Sequence, residues 1–275
     1  MGQFAPCLPS GIQWIAFRFC SFYCATMNRP LQDRGSMMPI NQQEVDHFWA
    51  TETGTGQNFV ANAPKVICTA QQLYSGVTFF QREGFLVVAS PQHLVDFITT
   101  RVRDLPIRDI FCVAFVESLL IPGIEKILGP AHVGYADSST FNPSPTVSCR
   151  LLTTEDTAIY QSFAEALSTA EIEQSGFDSR EAPAFGAFVN DVLCAIASYE
   201  IWEPRIAHIT VATHPDHRRH GYGQVAVSAL AKHAFARNLI LQYRALASNE
   251  NSLKLRLSLG FQHYCSTIYA RLSKA

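Results

Sequence analysis

Arg218-Arg219-His220-Gly221-Tyr222-Gly223 is the stretch whose residue types and spacing point most directly to chemistry. It follows an apolar run, Arg205 to Thr213, that reads as a strand. It opens an apolar-faced segment, Gly223 to Arg237, that reads as a helix. A strand, a glycine loop and a helix start can hold a diphosphate. The first amides of a helix lack internal acceptors, and its dipole is positive at that end. Glycines let the backbone approach the anion because no Cβ intervenes. Two arginines and a histidine add positive charge. No Gly-Lys-Ser/Thr follows, so the loop is not a P-loop, and the order is not the dinucleotide G-x-G-x-x-G.

The elements around the loop narrow the reading. A second apolar run, Leu239 to Leu246, follows the helix; then come Asn249-Glu250-Asn251-Ser252, Leu255 and Leu259-Gly260-Phe261. The Arg-x-x-Gly-x-Gly order after His214-Pro215, with this second block at its spacing, resembles the GNAT superfamily of N-acyltransferases. The resemblance covers about 149 to 273, a little under half of the 275 residues. It implies acetyl-CoA as donor substrate and transfer of the acetyl group to a primary amine of a small molecule or peptide. It further implies that the main chain around Val211 to Thr213 pairs with the pantetheine arm. Arg218, Arg219, His220, Gly221, Tyr222, Gly223 and Gln224 would then hold the diphosphate, and Asn249 would face the cofactor. The amine needs a general base, and the thioester oxygen needs a donor. Where many members carry a glutamate this chain has Ala207, and where many carry a tyrosine it has Arg256. Strand alternation from Arg205 puts Glu203 on the face of Ala207 and His208 on the other. Glu203 is therefore the first choice of base and His208 the second. The same two departures favour one alternative, a CoA-binding regulatory or interaction module without catalysis; the other alternative is an acyltransferase using longer acyl-CoA, which pocket length would decide.

Bulk composition fits a globular chain, with 48% hydrophobic and 16% charged residues. A net charge of −2 argues against general nucleic-acid binding. Eight cysteines at irregular spacing, several inside apolar runs such as Phe111-Cys112-Val113, read as buried small hydrophobes in a reducing, cytoplasmic setting. His214, His217 and His220 recur every three residues but read as loop residues, and no metal is expected. Ile12 to Ala25 is apolar but interrupted by Arg18, too short to span a bilayer, and lacks a basic segment ahead of it. Stable membrane insertion is not expected, and residues 1–36 are an extension outside the fold.

The expected fold class is α+β, a mixed sheet with a GNAT-like domain at 147–275 preceded by a smaller α/β domain at 37–142. Phe141-Asn142-Pro143-Ser144-Pro145 is the linker. In the first part, 39–52 reads as a helix, Val66–Thr69, Val77–Gln81 and Phe85–Ala89 as strands, and Pro91–Arg103 as a helix. Ile110–Val116 reads as a buried strand, and Gly129-Pro130-Ala131 and Gly134–Asp137 as loop and turn. In the second part, Val147–Leu152, Phe185–Val189, Leu193–Glu200 and Gln262–Leu272 read as strands and Glu155–Ser168 as a helix. The first part carries no chemical motif and is expected to shape the acceptor site or a homodimer contact.

Overall fold

The structure, a computed structural model, describes residues 42–56, 66–71, 76–145, 148–176 and 183–273. The extension at 1–36 lies outside the described residues. The chain opens with α1 (Gln42–Glu52), whose Val45, Phe48 and Trp49 face inward as their spacing predicts. Strands β1 (Val66–Ala70), β2 (Gly76–Arg82) and β3 (Phe85–Ser90) follow. Glu83 and Gly84, both at positive φ, close the β2–β3 hairpin. Then come α2 (Val95–Val102), the single turn α3 (Ile107–Ile110), α4 (Val113–Leu120) and β4 (Ile124–Ala136).

After the proline-rich segment the order is β5 (Cys149–Leu151), α5 (Thr157–Glu165), α6 (Thr169–Ser175), β6 (Ala184–Val189), β7 (Val192–Glu203) and β8 (Ile206–Thr213). It ends with α7 (Tyr222–Phe235), β9 (Ile240–Leu246), α8 (Glu250–Ser258) and β10 (Gln262–Leu272). A turn at Asn190-Asp191 joins β6 to β7, with both residues at positive φ.

All ten strands among the described residues lie in one sheet, ordered β1-β3-β2-β10-β4-β9-β8-β7-β6-β5. The sheet runs without a break across the 141–145 segment. β4, which precedes that segment, is hydrogen-bonded between β9 and β10, which follow it. The segment itself is tied down: Asn142 N–H donates to the Leu259 carbonyl at 2.9 Å, and Ser144 N–H to Ser228 Oγ at 2.9 Å.

Two expectations about the first part are corrected. Ile110–Val116 is not a strand but the end of α3 and the start of α4. Val116, Leu119 and Leu120 are its buried positions, a helical interval that the apolar run up to Val116 hides. Cys112 sits at the junction and is exposed, not a buried hydrophobe; Cys194 and Cys265 are buried. The glycines and proline at 129–134 do not form a loop. They lie inside β4, where Gly129 and Pro130 form a bulge: Thr267 and Tyr269, two apart on β10, face Ala131 and Leu128, three apart on β4. A bulge accommodates a proline in a central strand. The turn begins only at Asp137, whose carboxylate accepts the N–H groups of Ser139 and Thr140.

Opposite faces of the sheet carry separate cores. α7 covers Ala195, Ala197, Ile209, Leu241 and Tyr243 on one face. On the other, α1 lays Val45, Phe48 and Trp49 on Phe80, Val133, Tyr135, Ile206, Ile240 and Cys265. That second core draws on strands from both halves. It lies beside the end of β8 opposite the glycine loop.

Candidate active site

The site is organised along β8. At its C-terminal end the chain leaves the strand through a short turn over Pro215–His217 that His214 caps, its Nδ1 accepting the Asp216 N–H at 3.3 Å. Arg219 has φ 67° and Gly221 φ 83°, and Gly221 caps α7. A left-handed cap explains glycine at 221. Gly223 is buried against β8; a Cβ there would stand 3.1 Å from Thr213 Oγ1. The first helical bond runs from Val225 N–H to the Gly221 carbonyl. The amides of Tyr222, Gly223 and Gln224 therefore have no acceptor within the helix. Gln224 Nε2 donates to Ser258 Oγ at 2.6 Å, joining the start of α7 to α8.

Of the basic residues in the loop, Arg218 is already engaged. It pairs with Glu171 of α6 at 2.5 Å and donates from Nε to the Thr213 carbonyl at 3.3 Å. The Glu171 carboxyl is held below its usual range by hydrogen bonds from Ser168 and then by Arg218. Arg218 thus braces the loop, while Arg219 and His220 stay exposed; His220 donates from Nδ1 to the Arg218 carbonyl at 2.7 Å.

β8 and β9 are parallel neighbours only at Ile206↔Ile240, Ala207↔Leu241 and His208↔Gln242. From Ile209 to Thr213 no strand among the described residues pairs with β8 on that side, although β7 stays paired on the other up to Thr213. The two strands thus form a V. Its mouth lies toward α7 and its vertex at His208. An open strand edge leading from a helix N-terminus is a slot for an extended, amide-containing chain.

At the vertex, the His208 ring stacks on Trp202 with centroids 4.0 Å apart and 14° between planes. Its Nδ1 lies 3.0 Å from Gln242 Oε1. An amide oxygen only accepts, so with this partner the ring proton sits on Nδ1 and Nε2 keeps its lone pair. Gln242 Nε2 donates to Tyr135 Oη at 2.6 Å, and Trp49 Nε1 donates to the same oxygen at 2.7 Å. Burial, and secondarily the Arg244 charge, push the His208 pKa down to about 3, so the imidazole is neutral. Burial raises the Tyr135 phenol well above its usual value.

The other predicted residues fall elsewhere. Glu203 is not on β8; it ends β7, across the turn from Ile206. Alternation counted through Arg205 therefore does not apply to it. It stands at the end of β8 remote from the open edge, about 10 Å along the strand from Ile209. Arg205 is bound to Glu44 of α1 at 2.5 Å and to the Asn238 carbonyl at 2.9 Å. Asn249 caps α8, its side chain accepting the Ser252 N–H at 3.0 Å. Arg256 is buried at 5% exposure; burial, and secondarily the Arg256 charge, lower the pKa of His132 and His263 of β4 and β10. Nothing in the sequence marked Trp49, Tyr135 or Gln242. They belong to three elements far apart in the chain: α1, β4 and β9.

Residues 150–261 match the model of the Acetyltransferase (GNAT) family. No curated protein matches the chain. Among solved structures, the chain is similar to a GNAT-family acetyltransferase of Novosphingobium aromaticivorans DSM 12444 at 20% identity. That match covers 56% of this chain and 69% of the other, with a TM-score of 0.46. A GNAT-family acetyltransferase from Colwellia psychrerythraea matches at 14% identity over 57% of this chain and 61% of its own, with a TM-score of 0.43. A GCN5-related N-acetyltransferase-like protein from Streptococcus suis 89/1591 matches at 15% identity over 70% and 73%, with a TM-score of 0.41.

Proposed function

We propose, from the premise that the C-terminal half of this chain is a GNAT acetyltransferase domain, that it moves an acetyl group from acetyl-CoA to a primary amine. The observation that carries this reading is the V between β8 and β9, with a glycine-capped helix start at its mouth and a neutral histidine at its vertex. The amides of Tyr222, Gly223 and Gln224 would take the diphosphate, with Arg219 and His220 beside it. The unpaired edge of β8 from Ile209 to Thr213 would pair with the pantetheine amides and bring the thioester to His208. Asn249 stays in this set only as the cap that orients α8.

His208 is the preferred base, ahead of Glu203, because it stands at the vertex with its ring proton on Nδ1 and the lone pair on Nε2. In the reaction the amine nitrogen bonds to the thioester carbonyl carbon and the C–S bond breaks. The amine proton passes to His208 Nε2 and then, through water, to the departing thiolate. The products are an acetamide and free CoA thiol. A nitrogen that has attacked a carbonyl is far more acidic than a free ammonium, which narrows the gap to so weakly basic an imidazole. An amide of β8 near the vertex would support the charge on the carbonyl oxygen.

The test is calorimetric titration with acetyl-CoA, followed by thiol release in the presence of a panel of amines. Binding without thiol release would move the non-catalytic module to first place. Tighter binding of longer acyl-CoA would shift the donor.

A further inference from the structure

Arg256 of α8 is more than nine-tenths buried, and its Nε and Nη1 have no hydrogen-bond partner among the described residues. The guanidinium rests on Gly134 of β4: a Cβ built there would stand 2.6 Å from Nη1. It takes the place that a side chain at 134 would fill on that face of the sheet. The strand register sets its neighbours. Gly134 is paired with His263 of β10 on one side and Tyr243 of β9 on the other, and paired Cα atoms lie about 5 Å apart. His132 stands two residues back along β4 on the same face, about 6.6 Å away. The His132 and His263 rings meet edge to face with centroids 5.4 Å apart. His132 Nδ1 is 3.1 Å from Ser266 Oγ, which leaves Nε2 for a ligand. Tyr243 is no counter-ion, because burial pushes its pKa up to about 12 and keeps the phenol neutral. Among the described residues no carboxylate pairs with Arg256, His132 or His263.

We propose that Arg256, His132 and His263 form a binding site for a phosphate-type oxyanion, on the β4–β10 face beneath α8 and apart from the V. A buried guanidinium without a counter-ion costs stability, and a bound anion removes that cost. Guanidinium and imidazole nitrogens are the donors that suit phosphate oxygens. One oxyanion spans the distances between the three groups. Burial and the Arg256 charge hold both imidazoles below their ordinary pKa, which an anion beside them would reverse. His263 is exposed and His132 half-buried, so the cluster opens to solvent at its histidines, with the guanidinium beneath them. Exposed rings change rotamer within nanoseconds, which gives an ion its path inward. Strands about 4.8 Å apart put β4 and β10 two and three strands from β8, or about 10–14 Å. The cluster is therefore distinct from the anion cradle at the start of α7.

The experiment is thermal melting of the full chain in inorganic phosphate and in sodium chloride of equal ionic strength, with histidine proton NMR along the same titration. Phosphate at about tenfold its Kd is expected to raise the midpoint by about 3 °C, and chloride to leave it in place. The His132 and His263 resonances should move and should titrate at higher pH. Arg256→Met should melt above wild type without phosphate, since an apolar chain replaces an unpaired buried charge, and should lose the phosphate response. His263→Gln, at an exposed position, should fold and weaken the response several-fold; it decides the matter if Arg256→Met does not fold. Gly221→Val should keep the response, because the α7 start is not the site. A response that persists in saturating CoA identifies a free phosphate as the occupant. One that CoA abolishes and dephospho-CoA does not identifies the monoester phosphate of CoA instead, on the same residues. No response, an equal response to chloride, a full response in Arg256→Met or His263→Gln, or its loss in Gly221→Val would each overturn the proposal.

Discussion

The two ends of β8 are built in different ways. The glycine-loop end is local: strand, turn and helix start come from consecutive residues, Ile206 to Gln224, and most of the loop is exposed. What it offers an anion is main chain. The His208 end is assembled from distant parts: Trp49 of α1, Tyr135 of β4, Trp202 of β7 and Gln242 of β9. What it offers is a side chain whose proton is placed by buried neighbours. A backbone site needs only the right φ values in one stretch. A side-chain site needs the rest of the molecule to be folded around it.

The harshest way to break this comparison is to remove residues 1–146. β4 would be lost, leaving β9 and β10 with unpaired edges, and the apolar faces under α1 would be bare. The fragment 147–275 is expected to be insoluble or to lack a cooperative melt. A folded fragment that binds acetyl-CoA would instead show that the loop end and its sheet stand alone. Next is His208→Ala, which should lower kcat by about 10²- to 10⁴-fold with the KM for acetyl-CoA little changed. Glu203→Gln should stay close to wild type, and the reverse pattern would return Glu203 to first place.

Gly221→Val acts on the other end. Forcing a β-branched residue into positive φ costs about 1–2 kcal/mol and crowds the anion cradle. Acetyl-CoA affinity should fall more than about tenfold, while circular dichroism keeps its shape. Unchanged affinity would sink the cradle. A finer probe is Trp49→Phe, which keeps a ring but deletes the indole donor to Tyr135. A several-fold drop in kcat without a change in acetyl-CoA affinity would tie α1 to the chemistry; a change in melting temperature alone would leave it a packing residue.

The smallest effect is on stability against pH. The folded His208 pKa of about 3 lies below the ordinary value of 6.5. Unfolded chains therefore bind the extra proton between these limits. The His208 contribution is fully present above about pH 6.5 and declines as pH falls toward 3, by at most about 1.4 kcal/mol per pH unit. Urea melts of wild type and His208→Gln at pH 7.5 and 5 should show a shallower loss in the variant. Parallel losses would mean that His208 is not held neutral by the fold.

The contrast also explains what could be read in advance. The loop residues 218–224, the strand before them and the helix after them were legible because glycine, charge and apolar period all speak locally. So were the β2–β3 and β6–β7 hairpins, where Gly84 and the Asn190-Asp191 pair mark the turns. Glu203 was misplaced because a two-residue turn at Pro204-Arg205 moves it to β7, and alternation cannot be counted through a turn. β4 was hidden because Gly129, Pro130 and Gly134 look like loop residues until β9 and β10 flank them. The pairing of Arg218 with Glu171 was not legible either, because only the fold brings α6 to the loop.

The sequence by itself thus determined the glycine-loop end of β8, since helix starts, left-handed caps and strand periodicity are properties of a few neighbouring residues. Only the tertiary structure decided the His208 end. The tautomer and charge of an imidazole depend on burial and on hydrogen-bond partners, and those partners lie in elements that meet only when the sheet closes around β4.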